Sequence, residues 1–232
     1  MKGCLDFNMG RMKGRIFLDG GGDGERSAVV YREFLKGVER VAYVPLAWAS
    51  GNYGECFSWV VDALGMHKKV EIEMFTDLRG VELEGFDGVF IGGGNTFKLL
   101  KAIKESRFDK KLIEFYEKDG SIIGGSAGAL IFGCDIGTAT LGDYKDKNKV
   151  KLRDLNGLNF VEGCDIQAHF VKEVVEECRE HVKKTGRRII GIPEGSALLI
   201  SGEVYKVVGE SAVILIDEVG SKSFNVGERM EL

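Results

Sequence analysis

Apolar positions along this chain follow two rhythms. Short β-branched runs alternate with longer stretches in which apolar residues recur every three to four positions. The first rhythm predicts strands at Arg15–Asp19, 41–47 ("VAYVPLA"), 69–75 ("KVEIEMF"), 88–93 ("GVFIGG") and 121–126 ("SIIGGS"). The second predicts helices over Glu25–Val38, Tyr53–Leu64, 95–105 and 109–118, with a further apolar helix start at "AGALIF", directly after the fifth strand. This βαβα order predicts an α/β fold, a mostly parallel sheet with helices on both faces.

The rhythm breaks at 134–160, where "LGDYKDKNKVKLRDLNGL" is polar and rich in Gly and Asn, and so reads as loop. "CDIQAHF" (164–170) reads as a strand. Val171, Val174, Val175, Cys178 and Val182 then share one helix face, and "RIIGIPEG" returns to strand. From Ser196 onward, short β runs split by turn residues predict hairpins or an antiparallel C-terminal edge of the same sheet. No linker or repeat interrupts the pattern. The expectation is one domain over 15–232, preceded by an N-terminal extension, 1–14, in which Met9 and Met12 are alternative starts.

Composition narrows the classes. The 232 residues are 44% apolar and 29% charged, with a net charge of −4, an ordinary globular profile that predicts no nucleic-acid partner. No apolar stretch is long enough to span a bilayer, and the N-terminal charges are not followed by a signal-peptide core, so no membrane partner and a cytoplasmic location are expected. The five cysteines, Cys4, Cys56, Cys134, Cys164 and Cys178, are odd in number and form no Cys-x-x-Cys, which predicts neither a disulfide framework nor a zinc site.

Candidate chemistry centres on 122–133, "IIGGSAGALIFG". Residues 124–128 match G-x-S-x-G, and the match falls where a strand pattern ends and a helix pattern begins. A serine on such a turn is either a nucleophile or a structural turn residue. A hydroxyl nucleophile needs a base, usually His. His67 ("MHKKV") and His181 ("CREHVKK") read as surface residues, whereas His169 ends a strand, where sites of open parallel sheets assemble. A carboxylate should orient that base. Glu194, between Pro193 and Gly195, and Asp143, in the polar loop, are the two candidates. "FIGGGNTFKLL" (90–100) joins a strand to a helix through three glycines. It matches neither the dinucleotide nor the triphosphate fingerprint. "LDGGGDGE" (18–25) is a second Gly-rich turn and reads as a plain loop.

Four of these stretches, "GGGNTFKLL", "GGSAGA", "AHF" and "IPEG", stand in the order and settings seen in the serine peptidases that include peptidase E (aspartyl dipeptidase) and cyanophycinase. The resemblance spans roughly 15–215 and is sharpest at 90–133 and 192–195. It implies a fold like that of class I glutamine amidotransferases, and hydrolysis of short peptides through an acyl-enzyme without metal or cofactor. It implies Ser126 as nucleophile, His169 as base, and Glu194 or Asp143 as third member. The N–H groups of Gly94 and Ala127 would form the oxyanion hole. The partners it implies are a small peptide substrate and, for association, a second copy of the chain. Two classes compete with this reading, a non-catalytic small-molecule or anion binder on the same scaffold and an amidohydrolase acting on a non-peptide amide. The sequence also departs from peptidase E. The Arg-containing segment that selects an N-terminal Asp is replaced by the Glu-rich "VKEVVEECREHVKK", with Arg179, Arg187 and Arg188 the only substitutes, and Gly125 stands where peptidase E has a bulky residue. A strict Asp requirement is therefore not expected.

Overall fold

The computed structural model describes residues 14–232; the expected extension, apart from Gly14, lies outside them, as do Cys4, Met9 and Met12. In chain order the elements are β1 (Arg15–Asp19), α1 (Ala28–Phe34), β2 (Arg40–Val44), α2 (Tyr53–Gly65), β3 (Glu71–Met74), β4 (Gly88–Ile91), α3 (Thr96–Ser106), α4 (Phe108–Glu117), β5 (Ser121–Gly125) and α5 (Ala127–Leu130). There follow β6 (Asp165–Gln167), α6 (Val175–Thr185), β7 (Ile189–Gly191), β8 (Ser196–Ser201), β9 (Val204–Gly209), β10 (Val213–Ile216), β11 (Ser221–Phe224) and β12 (Arg229–Met230).

An eight-stranded sheet runs in the order β12-β9-β8-β1-β5-β4-β2-β3. Its β1, β5, β4, β2 and β3 are parallel, and β8, β9 and β12 extend it antiparallel beyond β1. The central strands are buried on both faces, which is why they read as continuous apolar runs rather than as alternation. Phe17, Tyr43, Phe90 and Ile123 face α1 and α2 with Tyr31, Phe34 and Leu64. Ile16, Leu18, Ile91 and Ile122 face the opposite way, toward Leu99, Ile103 and Leu112 of α3 and α4. The period of two along each strand thus divides one sheet between two helical layers.

Both arrangements expected from Ser196 onward occur: β8, β9 and β12 form the antiparallel edge, while β10 and β11 pair as a hairpin in a second, four-stranded sheet with β6 and β7, in the order β11-β10-β7-β6. Helix α6 and the 3₁₀ turn before it cover this sheet with Val174, Cys178 and Val182, against Phe170, Ile189 and Ile216. Val171, expected on that face, is exposed because the helix starts only at Val175, after the 3₁₀ turn Lys172–Val174. The second sheet matters for the site. Strands β6 and β7 are parallel neighbours, so the segments leaving their C-terminal ends, 168–170 and 192–195, emerge side by side. Backbone bonds from Ile192 N–H to Gln167 O and from Phe170 N–H to Ile192 O fasten the two together.

Candidate active site

The loop after β5 turns sharply at Ser126, which holds φ 51° and ψ −112°. A side chain other than Gly is strained there, and the surroundings must impose the conformation. They do so by close approach. A Cβ on Gly124 would run into the Gly128 carbonyl, and one on Gly128 into the Ile91 carbonyl. The two glycines of G-x-S-x-G are therefore there to let strand, turn and next helix touch. Ser126 N–H donates to Asp19 O at 3.0 Å, pinning the turn to the end of β1. Helix α5 is a single four-residue turn, so its local N–H groups rather than a long helix dipole face the site.

His169 follows β6 and also has a positive φ, 49°. Its Nε2 lies 2.8 Å from Ser126 Oγ, and its Nδ1 lies 2.8 Å from Glu194 Oε1. The hydrogen bond from His169 holds the Glu194 carboxyl below the usual glutamate range, against some burial and with help from Arg26. An ionised Glu194 accepts from Nδ1–H, which leaves Nε2 as acceptor for the serine O–H. Glu194 is not deeply buried, its side chain being 25% exposed. Its second oxygen is fixed instead by Arg26 Nη1 at 2.6 Å.

The Gly-rich turn after β1, expected to be a plain loop, is the hub of this arrangement. His169 N–H donates to Gly20 O (2.9 Å), Gly195 N–H to Gly21 O (3.1 Å), and Gly20 N–H to Ser196 O (2.9 Å). Gly21 lies against the His169 ring, where a Cβ would collide with Cε1. Tight backbone here brings the two later segments onto the β1–β5 edge.

Gly94 adopts φ 131° and packs on the Ala47 carbonyl, where a side chain would not fit. Neither its N–H nor that of Ala127 donates to a described residue, and both residues line a cavity of about 610 Å³ together with Ser126 and His169. The Gly-rich turn is held by Asn95, whose side chain caps α3 at Lys98 N–H (3.0 Å), and by Asp146, which accepts from Thr96 N–H (2.7 Å).

The structure thus brings Ser126, His169 and Glu194 together and sets Gly94 and Ala127 beside them. Asp143 lies on an exposed loop at the cavity wall. Both ring nitrogens of His169 are already engaged, and Glu194, not Asp143, sits on the imidazole. Arg179 pairs with Glu176, and Arg187 with Asp165 and Asp135. Neither these nor Arg188 lines a cavity at Ser126. The surface reading of His181 is corrected: its Nε2 lies 2.8 Å from the buried carboxylate of Asp165. His67 is half-buried, with an Nε2 that has no hydrogen-bond partner among the described residues.

Four site residues escaped the sequence reading. Arg26 and Asp19 flank the turn taken for a plain loop, and their signal was the strand-then-glycine pattern of "FLDGGG". Tyr144 stacks on the His169 ring at a centroid distance of 4.3 Å and an interplanar angle of 29°, and Asp146 anchors the Gly94 turn. Both lie in the polar 134–160 segment, where no periodicity marks a side chain as functional. Among the described residues no helix is long and apolar enough to cross a membrane.

Comparison with known proteins shows the family. Residues 19–208 match peptidase family S51. The peptidase E of Actinobacillus pleuropneumoniae serotype 5b (strain L20) is 28% identical over 194 residues, covering 78% of this chain and 79% of the relative. That of Haemophilus influenzae (strain PittGG) is 28% identical over 189 residues, covering 77% and 78%. The crystal structure of a peptidase from an acI-B1 Actinobacterium superposes with a TM-score of 0.73 at 19% identity, covering 96% of this chain and 98% of that one, a likeness of fold. With the match covering most of its length, the chain belongs to peptidase family S51 and is a serine-type peptidase.

Proposed function

We propose that the chain hydrolyses short peptides through an acyl-enzyme on Ser126. The observation that carries this reading is the unbroken Ser126–His169–Glu194 relay, with both hydrogen bonds at 2.8 Å. Ser126 Oγ attacks the scissile carbonyl carbon while its proton passes to His169 Nε2. Glu194 keeps the proton on Nδ1 and favours the imidazolium that forms. The carbonyl oxygen, now negative, accepts from the N–H groups of Gly94 and Ala127. As the C–N bond breaks, His169 Nε2 returns its proton to the leaving amine. Water then attacks the ester, His169 takes its proton, and Ser126 Oγ is released.

The strained serine supports this reading, since backbone strain of this kind persists where a reactive group has to be presented. Short substrates suit a site whose cavities on either side of Ser126 measure about 610 and 390 Å³, room for only a few residues. The test is labelling by a small fluorophosphonate, with hydrolysis of a di- and tripeptide library measured in parallel. Stoichiometric labelling that disappears in Ser126→Ala is expected. A Ser126→Ala enzyme that still turns over the library at the parent rate would sink the assignment.

A further inference from the structure

On the side of Ser126 away from the 134–160 loop lies a second cavity, of about 390 Å³. It too is lined by Ser126, His169 and Gly94, so the two cavities meet at the proposed nucleophile. Their chemistry is opposite. The larger is lined by Lys98, Lys145, Lys147 and Lys149, against Asp143 and Asp146. The smaller has aromatic walls, Tyr43, Trp48, Trp59 and Phe90, and holds the carboxyl of Asp19.

Asp19 is 1% exposed. Among the described residues its oxygens accept only from Gly21 N–H (3.1 Å) and the Ser27 hydroxyl (3.3 and 3.5 Å), and no cation among them pairs with it. A buried carboxylate without a cationic partner is costly. Burial pushes this one up to about 7; the Gly21 N–H and Ser27 bonds offset part of that rise, and the Glu194 charge adds to it. Trp48 brings a second unmet demand, a buried Nε1–H with no partner among the described residues.

Gly125 gives access to this carboxyl. It pairs in register with Asp19, so its missing side chain would point to the same side of the sheet. A Cβ there would meet nothing nearer than Asp19 Oδ2, at 4.0 Å. Any larger side chain would project into the cavity, across the Asp19 carboxyl.

We infer that this cavity receives the N-terminal residue of the peptide, with Asp19 accepting its free α-ammonium and the aromatic walls holding an aromatic or large aliphatic side chain. The inference rests on the acyl-enzyme reading above and adds the substrate class. The direction follows from charge. The N-terminal residue is the acyl side of the bond it precedes, and the leaving residue, with its terminal carboxylate, then falls among the lysines of the larger cavity. A cation against Asp19 satisfies the buried carboxylate, and a ring beside Tyr43, Trp59 and Phe90 gains edge-to-face contact. Trp48 Nε1–H is placed to donate to a polar group of the entering residue.

The chain's only two tryptophans, Trp48 and Trp59, both line this cavity, so their fluorescence reports its occupancy. The probe is L-phenylalaninol, which carries the ammonium and ring but no bond to cleave, titrated into the full-length wild-type protein. Binding near a Kd of ~1 mM or tighter is expected. N-acetylation, loss of the ring (L-alaninol) or Asp19→Asn should each weaken it by about tenfold, the cost of one good contact. Gly125→Leu should weaken L-phenylalaninol more than L-alaninol, and in turnover should lower the preference for Phe-Ala over Ala-Ala. Gly125→Ala serves if the leucine variant does not fold. Nα-acetyl-L-lysinol, whose cation is on the side chain alone, should bind weakly; if it binds best, the pocket takes a basic side chain and the inference is wrong. No binding of L-phenylalaninol, or equal binding of its N-acetyl form, would also overturn it. Because no bond is cleaved, this failure is separate from a failure of fluorophosphonate labelling.

Discussion

Two histidines of this chain each rest a ring nitrogen 2.8 Å from a carboxylate oxygen, and only one faces a hydroxyl in an open cavity. His169 has Glu194 on Nδ1 and Ser126 on Nε2. His181 has Asp165 on Nε2, and its ring lies against Gly137, where a Cβ would sit 3.1 Å from Cε1. The carboxylates differ as well. Glu194 is 25% exposed, and its other oxygen goes to Arg26, itself open to solvent. Asp165 is fully buried and saturated, accepting from Asp135 N–H (2.9 Å) and from Arg187 Nε at 3.0 Å to each oxygen. A histidine on a carboxylate is thus a structural motif in one place and a candidate catalytic one in another. The difference lies in what the free ring nitrogen meets.

The largest effect is expected at the proposed nucleophile. Ser126→Ala should lower turnover by ~10⁴-fold or more while shifting the unfolding free energy by less than about 1 kcal/mol, because Ala keeps the small turn residue. Stopped assays and chemical denaturation on one preparation check both halves. Next comes Glu194→Gln, which keeps shape but loses the charge that supports the imidazolium, and should cost ~10²–10⁴ in kcat. The counterpart of that change at the other histidine is Asp165→Asn. There the expected loss is of stability, ~3 kcal/mol for breaking a buried ion pair, or roughly 6–12 °C in Tm, with kcat per folded molecule nearly unchanged. If Asp165→Asn reduced kcat as far as Glu194→Gln does, the two clusters would not be separable in the way argued here.

The contrast also shows what was legible beforehand. Strands β1 and β5 fall where the apolar runs place them, since a buried strand is a local pattern. The turn at Ser126 was legible because two glycines and a serine leave a local signature. Sheet membership was not. A run such as "CDIQAHF" has no feature saying which sheet it joins, and that depends on partners far along the chain. Strand β11, "SKSF", and the two-residue β12 escaped altogether, being polar or too short to show a period. His181 was misread because its carboxylate is 16 residues away on another element. For the same reason the hub at Gly20–Gly22 was missed. It works through backbone hydrogen bonds, which no side-chain pattern records.

A smaller effect is expected at Asp19, read through stability. Burial raises its carboxyl from an ordinary 3.8 to about 7 in the folded protein. The native state therefore holds this proton more tightly than the unfolded chain does. The associated stability is fully present below about pH 4 and is lost as pH rises through 7. Asp19→Asn removes that loss. The variant should match the wild type near pH 4 and exceed it by ~1–3 kcal/mol at pH 8. Urea unfolding at the two pH values gives the comparison. A variant less stable than wild type at pH 8 would mean that the carboxylate has a compensating partner. Glu194 has the opposite sign, because the hydrogen bond from His169 holds its carboxyl below the usual glutamate range.

The smallest effect separates two neighbouring residues of the 141–150 loop, Tyr144 and Asp143. Tyr144 is 69% exposed, yet its ring lies over the His169 imidazole at 4.3 Å. A stacked aromatic pair of this kind contributes about 0.5–1.5 kcal/mol. With His169 as the proposed base, the ring's expected role is to limit the imidazole's tilt, a positioning role, because it meets the imidazole face while Ser126 and Glu194 engage both ring nitrogens. Tyr144→Ala should therefore lower kcat by roughly two- to tenfold with little change in KM, and Tyr144→Phe, which keeps the ring, should restore it. Asp143, next to it, is exposed and makes no hydrogen bond to His169, so Asp143→Asn should cost tenfold at most. His181 has no stacked ring among the described residues and needs none, since Asp165 and a close backbone already hold it. If Tyr144→Phe were as impaired as Tyr144→Ala, the hydroxyl rather than the ring would matter, and the loop would belong to the chemistry. If Asp143→Asn fell as far as Glu194→Gln, the third place beside His169 would pass to the loop in the working enzyme.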